Sequence, residues 1–98
     1  LHITAADREL LRATISAQGV RHVLVTHGTD TMVDTAKVLS TIPDKTIVLT
    51  GALNPARFRG SDAEFNIGTA VGAVQSLPPS VYIAMNGRIW DPLKVRKN

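Results

Sequence analysis

Three runs of consecutive, mostly apolar residues constrain this chain more than any other feature: "HVLVT" at 22–26, "TIVLT" at 46–50 and "VYIAM" at 81–85. They are short, contain many β-branched residues and lack polar alternation, the pattern of strands buried on both faces. Segments with helical spacing lie between them. Met32, Val33, Ala36 and Leu39 make one apolar stripe, and Ala63, Ile67, Ala70, Val71 and Val74 make another. A first helix is expected ahead of the first run, from about residue 5 to about residue 18, with Ala6, Leu10, Ala13 and Ala17 on one face and Leu11 and Ile15 widening it. Thr4 and Asp7 have the spacing of a capping box before that helix, and Gly19 is a plausible stop. Pro43 ends the second helical region, and "GALNPARFRGS", 51–61, reads as an irregular loop. Ser61 and Asp62 read as an N-cap pair for the third helix.

Strands of this kind separated by helices belong to an α/β fold, a doubly wound (Rossmann-like) parallel sheet with helices on both faces. Three strands and three helices make only part of such a sheet. An edge partner is then expected from another chain or from residues outside this sequence. The chain opens on Leu1 and not on methionine, so upstream residues are expected. At 98 residues it can hold one small domain, near the lower limit for an independent core. No repeat, low-complexity segment or interdomain linker interrupts it.

Composition narrows the function. No apolar run approaches the length of a membrane span and no segment reads as a signal peptide, so no membrane partner is expected. The absence of cysteine excludes disulfides and thiolate zinc sites and fits a cytoplasmic protein. The net charge of +3 resides entirely in the tail from Arg88 onward, where Arg88, Lys94, Arg96 and Lys97 face only Asp91. A short basic tail with one aromatic, Trp90, falls short of a nucleic-acid surface, and a solvated or partner-covered terminus is the default. His2, His22 and His27 lack metal-ligand spacing on one element, so no metal is expected. The glycines at 28, 51 and 87 form no dinucleotide or phosphate loop, and no cofactor is expected. Gly68 and Gly72 are read as allowing close helix–sheet packing.

The polar chemistry gathers at the strand ends. Thr26-His27-Gly28-Thr29-Asp30, Thr50-Gly51-Ala52 and Asn86-Gly87 each follow an apolar run. In open α/β sheets ligands bind beyond the carboxyl ends of the strands, so parallel strands would place all three clusters along one edge. Gly28 permits a tight turn, and His27 is expected to orient it. Thr29 offers a hydroxyl for attack or for positioning water, and Asp30 a carboxylate for an ammonium group. The same pair can equally cap the following helix, the commoner role for these residue types.

"VTHGTDTM" followed by "DTA", "IVLTGA", "SDAEFN" and "MNGR", with a lysine near the end, resembles the bacterial-type L-asparaginases and glutaminases over essentially the whole chain. The ending "NGRIWDPLKVRKN" resembles a compact branch of asparaginase-like proteins without a second domain. The resemblance implies that residues 1–98 are part of the family's N-terminal α/β domain, with its upstream TGGT strand and any C-terminal domain absent. It also implies an amidohydrolase that converts L-asparagine, or L-glutamine, to the acid and ammonia. By motif matching, Thr29, Asp30 and Lys97 form a Thr–Lys–Asp triad, and Gly28, Thr29, Asp30, Gly51 and Ala52 contact the substrate. Lys94 competes with Lys97, but the spacing from "MN" favours Lys97.

A lysine beside Thr29 could act as a base if burial disfavours its ammonium form, while Asp30 opposes that shift. The family's first catalytic threonine, on the TGGT strand, has no counterpart in these residues, so this chain alone is expected to be inactive. "SDAEFN" also departs from the commoner "SDG". A homodimer or homotetramer is expected. Two other readings stay open: an inactive ligand-binding or interaction module on the same scaffold, and a component of an amidotransferase acting on aminoacyl-tRNA.

Overall fold

The computed structural model describes residues 3–51, 60–85 and 88–92, and the side chains of 60–66 fall outside that description. The order of elements is α1 (Ala5–Ala17), β1 (His22–His27), α2 (Met32–Leu39), β2 (Thr46–Gly51), α3 (Gly60–Ser76), β3 (Ser80–Met85) and β4 (Arg88–Trp90). They form one sheet in the order β1-β2-β3-β4, parallel through β3 and antiparallel between β3 and β4. This is the expected α/β architecture with a fourth strand added. β4 has three exposed residues, Arg88, Ile89 and Trp90, with no periodicity to announce a strand; the edge of β3 creates it by pairing.

The two faces of the sheet carry separate cores. Ile47, Leu49, Val81 and Ile83 pack against Met32, Ala36 and Leu39 of α2 and Ile15 of α1. Val48 and Ala84 point the other way, against Ala70, Ala73 and Val74 of α3. The strand order advances in one direction while α2 and α3 cross on opposite faces. The β1-α2-β2 and β2-α3-β3 crossovers therefore have opposite hands, and one of them is of the rare left-handed kind. α3 lies over β1 and β2 as well as over β3.

Several helical expectations shift. Thr4 accepts the Asp7 N–H and Asp7 accepts the Thr4 N–H, so the capping box forms with aspartate in the usual glutamate place. The buried side of α1, however, is that of Leu11 and Ile15. Ala6, Ala13 and Ala17 are exposed and Leu10 is 68% exposed, because only one side of α1 meets α2. α3 starts at Gly60, so Ser61 and Asp62 lie inside its first turn and not before it, and the expected loop is shortened at both ends. The remaining 52–59 lie outside the described residues. Gly68 and Gly72 face open space, with Ile67 and Val71 exposed beside them, so these glycines do not serve close packing against the sheet. The α3 core face is instead Ala70, Ala73 and Val74.

β1 is not buried on both faces. Val23 and Val25 are half-buried, whereas His22, Leu24 and Thr26 are exposed. β1 is an edge among the described residues, and α3 covers it only in part. At the other end of the strand Lys45, buried, donates through Nζ to the carbonyls of Gln18 (2.6 Å) and Val20. It thereby satisfies groups at the carboxyl end of α1 and fixes the turn into β1.

Candidate active site

Parallel register aligns the carboxyl ends of the strands, with His27 beside Gly51 and Thr50 beside Ala84. The reversed hand of the crossovers adds a second feature. After His27 the chain runs to α2 on one face, while after Gly51 it reappears in α3 on the other. Strand ends whose connections part to opposite faces are where ligands bind in open α/β sheets. Gly28, Thr29 and Asp30 follow one of these ends, and Gly51 closes the other.

The turn after β1 is anchored from below. His27 is buried, and its Nδ1 donates to the Gly28 carbonyl at 2.6 Å. A carbonyl only accepts, so Nδ1 carries the proton, and in the neutral ring Nε2 accepts from the Thr35 hydroxyl at 2.8 Å. Thr35 is fully buried on α2. One imidazole thus ties the last residue of β1 to the turn and to the next helix, as expected of a histidine that orients this corner.

Thr29 and Asp30 do not cap that helix. The N-cap position is Thr31, and its side chain makes no capping bond. Thr29 and Asp30 precede it and are exposed. Among the described residues no hydrogen bond ties down either side chain. The corner thus carries an exposed hydroxyl and an exposed carboxylate that no described residue engages. Thr50 turns away from it: fully buried, it donates through Oγ1 to the Ala84 carbonyl at 2.9 Å and joins β2 to β3.

Gly51 meets Thr29 directly. A methyl group on Gly51 would stand 3.4 Å from Thr29 Cγ2, 3.0 Å from Met85 Sδ and 3.2 Å from Met85 Cε. The Gly51 N–H donates to Met85 Sδ at 3.1 Å. The structure thus brings Gly28, Thr29, Asp30 and Gly51 to one corner at the carboxyl ends of β1 and β2. Ala52, Asn86, Gly87, Lys94 and Lys97 lie outside the described residues. Two residues at the corner escaped the sequence reading, Thr35 and Met85. Met85 could have been found from register, since it ends β3 on the same sheet face as Gly51.

Comparison with known proteins places this geometry. The family described as "Asparaginase, N-terminal" matches residues 2–98. The chain belongs to the asparaginase family. Among curated relatives it is 33% identical over 102 residues to the glutaminase-asparaginase of Acinetobacter glutaminasificans, covering 93% of the chain and 31% of the relative. It is 39% identical over 88 residues to a glutamyl-tRNA(Gln) amidotransferase component of Methanococcus vannielii, covering 81% of this chain and 21% of the relative. A third relative, the L-asparaginase of Thermococcus kodakarensis, is 35% identical over 78 residues, 76% of the chain and 24% of the relative. The chain spans about a fifth to a third of the length of these asparaginase-family relatives. The described α/β unit is accordingly one with an asparaginase-type N-terminal domain, and no helix among its described residues is long and apolar enough to cross a membrane.

Proposed function

We propose that this chain carries one side of the active site of an asparaginase-type amidohydrolase, which hydrolyses the side-chain amide of L-asparagine, or of L-glutamine, to the carboxylic acid and ammonia. The carrying observation is the strand-end corner at which Thr29 and Asp30, exposed and not capping α2, stand beside Gly51. In this reading Asp30 binds the α-ammonium group of the substrate and Gly28, Gly51 and Ala52 line its amide. Lys97 and Asp30 complete a triad with Thr29, whose hydroxyl is activated when the lysine takes its proton. The first threonine comes from a TGGT strand upstream, so residues 1–98 form part of an N-terminal domain. The open edge of β1 supports an added strand there. The protein is cytoplasmic and a homodimer or homotetramer in this reading.

Expression of the gene with its natural upstream region, followed by ammonia measurement with L-asparagine and L-glutamine, tests the proposal. Release with one of them is the expected result, and well-folded protein that releases none overturns it. A second reading, a component of an aminoacyl-tRNA amidotransferase, draws support from the 39% identity to the glutamyl-tRNA(Gln) amidotransferase protein of Methanococcus vannielii. It requires salt-sensitive tRNA binding by the complete protein.

A further inference from the structure

The β2–β3 ladder ends at Thr50 and Ala84. The next amide, that of Gly51, donates to the thioether of Met85 at 3.1 Å. Met85 is half-buried at the end of β3, on the sheet face that also carries α2. The missing side chain of Gly51 would project on that same face, where the turn carrying Thr29 passes. One point above Gly51 therefore lies within 3.4 Å of three groups, the Met85 sulfur, the Met85 methyl and the Thr29 methyl. The backbone at Gly51 is not left-handed, so its lack of a side chain serves space and not backbone angle.

We infer that Met85 is a positioning residue for Thr29: its thioether holds the Gly51 amide and fills the space above it, and so sets where the Thr29 side chain rests. The inference rests on the proposed role of Thr29. The sulfur suits both halves of the task. It accepts a hydrogen bond that a hydrocarbon cannot, and its unbranched, polarizable chain fits a gap that a branched residue would overfill. The Thr29 methyl lies at this packed point, and a methyl held by packing selects the rotamer and with it the direction of the hydroxyl. A shift of a few tenths of an ångström in a reacting group registers in turnover, since a full 1 Å costs on the order of 100-fold.

The test uses the complete protein with Met85→Leu, Gly51→Ala and the double variant Gly51→Ala/Met85→Ala. Leucine keeps bulk and removes the acceptor. Alanine at 51 forces the thioether or the Thr29 methyl to move, and removing the Met85 side chain in the double variant gives the new methyl room. Ammonia release should show kcat reduced about 10-fold in Met85→Leu and Gly51→Ala, and in Met85→Leu KM should change by less than about 2-fold, because orientation and not ground-state binding is lost. The double variant should recover part of the kcat lost in Gly51→Ala, the non-additivity expected of groups in contact. In the same proteins, NMR should show the Gly51 amide and Thr29 γ2-methyl resonances displaced in both single variants. Unchanged kcat in folded Met85→Leu, or a Thr29 methyl that stays in place in both single variants, overturns the inference. If the parent protein releases no ammonia, the amidohydrolase reading falls, while the two resonances still decide whether Met85 positions Thr29. Should Met85→Leu fail to fold, Gly51→Ala and the double variant decide it by the same two readouts.

Discussion

A buried imidazole that donates to the carbonyl of the very next residue ties the turn after β1 to the strand, and through Thr35 to α2. Removing the Thr35 hydroxyl leaves His27 Nε2 buried and unpaired. Thr35→Val, of nearly equal volume, should therefore lower unfolding free energy by about 1–3 kcal/mol, as measured by urea denaturation. On the proposed amidohydrolase reading, the displaced turn should also reduce ammonia release by the complete protein. A second single-residue device lies in the 43–45 turn, where Asp44 adopts φ 64°, a left-handed conformation that aspartate and asparagine tolerate better than other side chains. Asp44→Asn should be close to neutral and Asp44→Val should cost about 1–2 kcal/mol, both read by denaturant midpoint. The sequence named His27 as an orienting residue from its place between an apolar run and a glycine. It could not name Thr35, because the partner of a buried polar group is chosen by the angle at which α2 returns over the sheet.

At the scale of elements, what was legible was what periodicity encodes, namely the existence, order and type of α1, β1, α2, β2, α3 and β3. The faces of α1 and α3 were less so. In α1 an alanine-rich side and a Leu11–Ile15 side compete as apolar stripes, and only the position of α2 decides between them. The choice has measurable consequences: Leu10→Ser should change stability by no more than about 0.5 kcal/mol, whereas Leu39→Ala, fully buried, should cost about 2–5 kcal/mol. The capping box supplies a pH signature. The Thr4 backbone N–H, and then its side chain, hold the Asp7 carboxyl below its ordinary value of 3.8. A carboxylate lowered in the folded state contributes stability that is present above its unfolded pKa and lost as pH falls through the folded one. The thermal midpoint of the parent should exceed that of Asp7→Asn at neutral pH, and the gap should narrow as pH falls below about 3.8 and close once the lowered folded-state value is passed and both groups are uncharged.

The whole molecule carries a property that no local pattern reveals, the opposite hands of its two crossovers. Alternating strands and helices announce a parallel sheet with both faces covered, but not which helix takes which face. That choice sends the chain after β1 and after β2 to opposite faces of the sheet, and it also draws α3 back over β1. The chain is compact, with a radius of gyration of 12.8 Å, close to the roughly 12.6 Å expected of a folded domain of this length. The exposed β1 is therefore not a symptom of loose packing. It is a parallel strand with one ladder satisfied by β2 and the other facing outward among the described residues, the arrangement that invites a further strand. If an upstream strand with the first catalytic threonine pairs there, hydrogen exchange on the complete protein should find every amide of His22–His27 protected, including the alternate ones that β2 does not bind. In a protein restricted to residues 1–98 those alternate amides should exchange at least about 100-fold faster, since an exposed edge amide exchanges without global unfolding. Equal rates in the two proteins would remove the added strand, and with it the route by which a first threonine would reach the corner that carries Thr29.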